Sequence, residues 1–198
     1  MYFCIPYPTS LKVGVLLTLH MMVPAQEVNV SIRKATTSDL TIIHQLALDI
    51  WEPTYRKILS KDQIQYMFQE MFTEEALLKQ MSKQQHVFMI QFVDDNPIGF
   101  ASFNLKEPIE KIYKLHRLYL KPDQHKKGFG AVLLKAVEKT IVLEGGTILE
   151  LNVNRKNPAK TFYETQGYRI HQTVDIPFSK YWLNDYIMRK KLNKENYL

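Results

Sequence analysis

Apolar and polar residues alternate along the chain with two different periods, and the changes of period mark the elements. Val28, Val30 and Ile32 alternate with polar neighbours and predict a first strand. Leu40, Ile43, Leu46, Ala47 and Ile50 recur at three- and four-residue spacing, which predicts a helix entered at residues 36–39 with Ser38 or Thr37 as its N-cap. Ser60 opens a second helical pattern carrying Ile64, Met67, Phe68 and Met71, and residues 73–81 continue in the same period. The chain then turns to strands. Residues 87–93 are β-rich, Asp94-Asp95-Asn96-Pro97 is a turn, and residues 98–105 return, so the pair predicts an antiparallel hairpin. There is no internal repeat and no low-complexity linker.

The stretch from residue 115 to 137, LHRLYLKPDQHKKGFGAVLLKAV, organises the rest. Leu115, Leu118 and Leu120 predict a strand, which Pro122 and Asp123 break. A helix follows, with Val132, Leu133, Ala136, Val137 and Ile141 as its inward stripe. Between them sit His125, Lys126, Lys127, Gly128, Phe129 and Gly130. The first amides of a helix lack carbonyl partners and carry about half a positive charge, which suits a phosphate. Gly128 and Gly130 remove side chains that would keep a pyrophosphate at a distance. A surface turn with a solvated pair of lysines would carry the same residues. A dinucleotide fingerprint needs a third glycine where Leu133 stands, and a P-loop needs Gly-Lys-Ser/Thr, so neither class fits. Gly145-Gly146 then leads to a strand at 148–153, placing one strand-helix-strand crossover in an otherwise antiparallel sheet.

In residues 151–168, LNVNRKNPAKTFYETQGY, Pro158 suits the first turn of a helix, Asn157 caps it and Gly167 stops it. Residues 181–188 read as a loop entering a final strand. Their aromatics would line a binding surface or support a homodimer, and Asp185 would meet a cationic substrate or cap the turn.

Composition narrows the picture. With 198 residues, 45% hydrophobic and 12% aromatic, the chain can form one well-cored domain, placed at residues 28–192 with a tail at 193–198. The formal charge of +6 permits anion binding, but the basic residues are spread out and suit a nucleotide-tailed cofactor better than nucleic acid. Arg189, Lys190, Lys191 and Lys194 read as a solvated end. One cysteine, Cys4, gives no intramolecular disulfide framework and no zinc cluster, so no metal is expected. The apolar run at 13–23 is shorter than the roughly 20 residues a membrane helix needs, and His20 interrupts it. Val23-Pro24-Ala25 resembles a cleavage site, but residues 1–27 read better as an upstream extension of a cytoplasmic protein, with Met21 and Met22 as alternative starts.

His125-Lys126-Lys127-Gly128-Phe129-Gly130 resembles motif A, Q/R-x-x-G-x-G/A, of the GCN5-related N-acetyltransferases (GNAT), with His125 in the Gln/Arg place. Residues 151–168 resemble the family's motif B: an asparagine, an alanine, Phe162-Tyr163 and Gly167-Tyr168. Lys156 stands where the usual asparagine lies, three residues before Ala159, which leaves Asn157 or Asn154 to do its work in part. Thr54-Tyr55 ahead of an amphipathic helix is similar to the PaiA-type polyamine acetyltransferase branch.

The resemblance implies an α/β GNAT fold, a mixed and mostly antiparallel sheet flanked by helices, with acetyl-CoA as cofactor. Cofactor contacts would fall on Leu118, Tyr119, Leu120, His125, Lys126, Lys127, Gly128, Phe129, Gly130, Ala131, Asn157, Ala159 and Phe162. Tyr163 would donate a proton to the departing thiolate, since a phenol of pKa about 10 stays protonated at neutral pH. The competing reading packs Tyr163 between helix and sheet with its hydroxyl at the rim. Trp51, Glu52 and Tyr55 would hold the acceptor, or Trp51 and Tyr55 would be core residues. His116, Glu110, Glu52 or a chain of waters would serve as base, and spacing does not choose among them. The expected activity is direct acetyl transfer to a primary amine, a small cationic amine such as a polyamine. The rival is a non-catalytic acyl-CoA-binding sensor.

Overall fold

A computed structural model describes residues 28–197 of the chain. The expectations for residues 1–27, including Cys4 and the signal-like run, lie outside the described residues. In chain order the elements are β1 (Val30–Lys34), α1 (Leu40–Tyr55), α2 (Lys61–Phe72), α3 (Glu74–Ser82), β2 (Val87–Val93), β3 (Asn96–Glu107), β4 (Ile112–Leu120), α4 (Phe129–Leu143), β5 (Ile148–Asn154), α5 (Ala159–Thr165), β6 (Arg169–Phe178) and β7 (Tyr181–Lys191). They form a seven-stranded sheet of order β1-β2-β3-β4-β5-β7-β6. Only β4 and β5 pair in parallel, across the α4 crossover. Among the described residues no helix is long and apolar enough to cross a membrane.

Each face of the sheet buries its own cluster. On one, Leu133, Leu134, Val137 and Ile141 of α4 pack on Leu115, Leu149, Leu151, Val153, Tyr163 and Tyr168. On the other, Ile43, Leu46, Ala47, Ile50 and Trp51 of α1 join Ile64, Met67, Phe72 and Leu77 against Phe88, Ile90 and Phe100. The helical period itself corrects the expected stripe of α4. Residues 133, 134, 137 and 141 share one face, so Leu134 is buried while Val132 is turned outward. The entry to α1 is also shifted. Thr36, not Ser38 or Thr37, is the extended capping residue, and its N–H donates to Asp39 at 2.8 Å. Arg33 grips the same carboxylate and holds Asp39 well below the usual carboxylate range.

The hairpin over 87–107 forms as expected, with Asp94 and Asp95 both at positive φ in a two-residue turn that matches strand twist. Residues 181–188 are not a loop. They belong to β7, which pairs from Tyr181 to Arg189 with β6, a strand the sequence pattern does not announce because its residues are mostly exposed. Nor are Arg189 and Lys190 a solvated end. Lys190 Nζ donates to both oxygens of buried Glu138 on α4 at 2.9 Å, and Tyr168 and Tyr197 add hydroxyl donors at 2.8 and 2.7 Å. Arg189 and Lys106 likewise bind fully buried Glu150. Tyr197, placed in the expected tail, is buried with this network. A carboxylate taken out of water needs a cation and donors at hand, and the alternation of β7 delivers them.

Candidate active site

The site begins with a fault in the sheet. Arg117 lies opposite Ser102 and Leu115 opposite Phe103, which leaves His116 as an extra residue in β4. Such a bulge bends its strand and increases local twist. Beyond it β4 and β5 separate: they pair at Ile112–Leu115 with Ile148–Leu151 and no further, while β5 continues along β7 to Asn154. The far ends of β4 and β5 therefore open a cleft through the sheet, of about 840 Å³. That volume lies within the range of small-molecule sites.

One mouth of the cleft is formed by the β4-α4 junction. His125, Lys126, Gly128, Gly130 and Ala131 line it, with Leu118, Tyr119 and Leu120 from β4 and Asn157, Ala159, Phe162 and Tyr163 from the α5 segment. His125 Nε2 lies 3.0 Å from the Leu120 carbonyl oxygen and ties the loop back to its strand. Gly128 has φ of +86°, a left-handed conformation that glycine adopts without penalty, and it directs the chain into α4. Gly130 has room around it: a methyl there would sit 3.5 Å or more from Leu120 and Phe162, in ordinary contact. The unpartnered amides of α4, the two glycines and the unpaired edge of β4 suit a pyrophosphate followed by an extended amide chain.

Three expected residues stand apart from the cleft. Lys127 points to Gln124, donating at 3.2 Å, and Phe129 does not line the opening. Glu52 is exposed and does not line it. Trp51 and Tyr55, one helical turn apart, face the sheet, so Glu52 is rotated away by about 100°. Of the candidate bases, His116 lines the cleft and Glu110 and Glu52 do not. The His116 ring is exposed at its edge, stacks on His86 at 4.1 Å and meets Asn104 Oδ1 at 2.9 Å, and its surroundings hold the imidazole below its ordinary value.

The other mouth is aromatic. Trp51 is both core and wall: it is 4% exposed, and its indole donates to the Ile64 carbonyl at 2.9 Å. Its ring lies 4.3 Å from Tyr55, whose hydroxyl meets that of Tyr119 at 3.2 Å. Burial raises both phenols above their ordinary pKa. Beneath them Arg117 is buried, donating to Gln80 Oε1 at 2.7 Å and stacked over Phe72 at 4.9 Å, and burial pulls its guanidinium down to about 10.

Tyr163 joins the two mouths. Its ring is fixed by Phe162 at 5.2 Å and Tyr168 at 5.7 Å, and burial pushes its phenol well above the ordinary value. The hydroxyl opens on the cleft and bonds no other described residue. Asn152 and Asp185 also line this region. Asn152 had a signal in the sequence, as the polar break in the apolar run ILELNVN. Arg117 had none, because only the bulge turns it inward.

The acetyltransferase (GNAT) domain family matches residues 55–192. The chain belongs to that family. Its reaction class is N-acetyl transfer, with acetyl-CoA as the acyl donor. The chain is similar to the spermidine N(1)-acetyltransferase of Thermoplasma acidophilum, at 30% identity over 168 residues, covering 82% of this chain and 98% of that protein. It is also 25% identical over 137 residues to the uncharacterised N-acetyltransferase YuaI of Bacillus subtilis, covering 68% and 78% of the two chains. Among solved structures, the PaiA N-acetyltransferase of Thermoplasma acidophilum in complex with coenzyme A superposes with a TM-score of 0.72, covering 82% of this chain and 99% of that one.

Proposed function

We propose that this GNAT enzyme transfers acetyl directly to the primary amine of a small cationic acceptor of the polyamine type. The observation that carries the reading is one continuous cleft, running from the first amides of α4, past Tyr163, to the aromatic wall of Trp51, Tyr55 and Tyr119. The similarity to a spermidine N(1)-acetyltransferase supports the acceptor class.

Acetyl-CoA would supply an acetyl thioester: the neutral amine bonds to its carbonyl carbon, the carbon–sulfur bond breaks, the nitrogen gives up its extra proton to water and the thiolate leaves. The amides of α4, with Gly128 and Gly130, hold the pyrophosphate, and His125 and Lys126 flank it. The β4 edge over Leu118, Tyr119 and Leu120, freed from β5 by the bulge, offers backbone groups to the pantetheine amides and the thioester carbonyl. Asn157 accepts the Ala159 N–H at 2.9 Å, and so shapes the start of α5 beside Phe162. Tyr163 donates its hydroxyl proton in a hydrogen bond to the departing sulfur, and its raised pKa keeps the phenol protonated throughout the neutral range. No cysteine lines the cleft among the described residues, which agrees with transfer in a ternary complex.

The test is CoA release from acetyl-CoA against spermidine, spermine, amino acids and peptides with free N-termini. Release with the polyamines, and little with the others, is expected. Release confined to peptides or amino acids would refute the acceptor class. Acetyl-CoA binding without release for any amine would make the protein an acyl-CoA sensor.

A further inference from the structure

Four carboxylates of the described residues are buried, and three are fully served. Asp39 is held by Arg33, Glu138 by Lys190 and two tyrosines, and Glu150 by Arg189 and Lys106. Asp185 is the exception. It is 8% exposed, yet its one side-chain hydrogen bond is a long 3.4 Å contact from Asn152 Nδ2. Among the described residues no lysine or arginine reaches it within ion-pair distance: Lys114 acts on it only through space, and Arg155 is engaged by Asp175. It is also the one acidic residue among the described residues that line the cleft.

A second vacancy lies beside it. Asn152 Oδ1 is buried with no donor among the described residues. Asn152 faces Ile187 and Asn154 faces Asp185 across the antiparallel β5-β7 ladder, so residues 152, 154 and 185 share one face of the sheet. Two oxygen acceptors, one of them a carboxylate, thus stand side by side with no cation and with no donor but the long Asn152 Nδ2 contact. Tyr55 and Tyr119 line the same cleft, and aromatic rings attract alkylammonium groups. Burial dominates the Asp185 environment and raises its carboxyl above the usual range, as expected for a carboxylate waiting for a cation.

We infer that Asp185 and Asn152 Oδ1 form the subsite that binds an alkylammonium group of the acceptor other than the neutral nitrogen that attacks the thioester. This rests on the acetyltransferase reading and adds to it the residues that read the acceptor's charge. A primary ammonium has three donors, enough to satisfy both oxygens at once. The adjoining alkyl chain lies along Leu183 and the aromatic wall.

The test compares wild type with Asp185→Asn, which keeps the shape and removes the charge. Loss of a hydrogen bond to a charged group lowers kcat/KM for spermidine by roughly 10- to 100-fold. The fall appears chiefly in KM, with coenzyme A affinity unchanged, and Asp185→Glu recovers part of it. Asn152→Ala raises the spermidine KM by a smaller factor, and this variant carries the test if Asp185→Asn does not fold. An unchanged spermidine KM in the folded variant overturns the subsite. If wild type acetylates no amine, the proposed function fails, and calorimetric titration of spermidine into the CoA-loaded protein decides the subsite alone. Binding that Asp185→Asn abolishes supports it; equal binding by both, or none by wild type, overturns it.

Discussion

Replacing Tyr163 with phenylalanine separates its chemistry from its packing, because the structure assigns the two to different atoms. The ring is held by Phe162 and Tyr168, and these contacts survive the change. The hydroxyl bonds no other described residue, so its removal leaves no orphaned partner. Stability is therefore expected to stay within about 0.5 kcal/mol of wild type, as for changes outside the named destabilising mechanisms. In the proposed reaction the hydroxyl meets only the sulfur as it gains charge. A hydrogen bond to a charged group contributes about 1.5–3 kcal/mol, and its loss slows kcat roughly 10- to 150-fold. The KM for acetyl-CoA changes little, since the interaction is absent before the carbon–sulfur bond weakens. Initial rates of CoA release at saturating amine give kcat, and calorimetry gives cofactor affinity. A kcat within twofold of wild type would remove Tyr163 from the mechanism. A matched loss of coenzyme A affinity would recast it as a binding residue.

Two further substitutions probe the cofactor loop and the buried charge. Gly130→Ala places a methyl in ordinary contact with the protein but on the cleft side of α4, so the melting temperature holds while coenzyme A binding weakens, roughly tenfold for a pyrophosphate held off its amides. Unchanged affinity by calorimetry would place the pyrophosphate elsewhere. Lys190→Met leaves Glu138 charged, 3% exposed and held only by Tyr168 and Tyr197. Breaking such a pair costs about 2–4 kcal/mol, allowing for the partial exposure of the lysine, or roughly 5–10 °C in Tm. Adding Glu138→Gln recovers most of the loss in a thermal melt; no recovery would mean that lysine packing, not charge, holds α4 to β7.

Much of this molecule was legible before any coordinates. The helical period located α1 to α4, because each buries one regular face, and continuous apolar runs bounded by turn residues located β2, β3 and β5, which are buried on both faces. The junction at Gly128 and Gly130 was legible because glycines between a strand and a helix are a local feature, and the place of Tyr163 beside the cleft because Phe162-Tyr163 lies in a contiguous run. β6 was missed for the converse reason: an exposed edge strand has no apolar face to display. Glu52 was drawn into the site by residue type beside Trp51, and the 100° step of a helix removed it.

The helices, most strands, the glycine-rich β4-α4 junction and the family are written in neighbouring residues and can be read without the fold. Where β4 and β5 part, that Lys190 and Arg189 serve buried carboxylates, and that Asp185 and Asn152 stand together without a cation emerge only once the chain is folded. Those arrangements join residues tens of positions apart. Their partners are set by the pairing of strands distant in sequence and by one extra residue at His116, neither of which is written in any single segment of the chain.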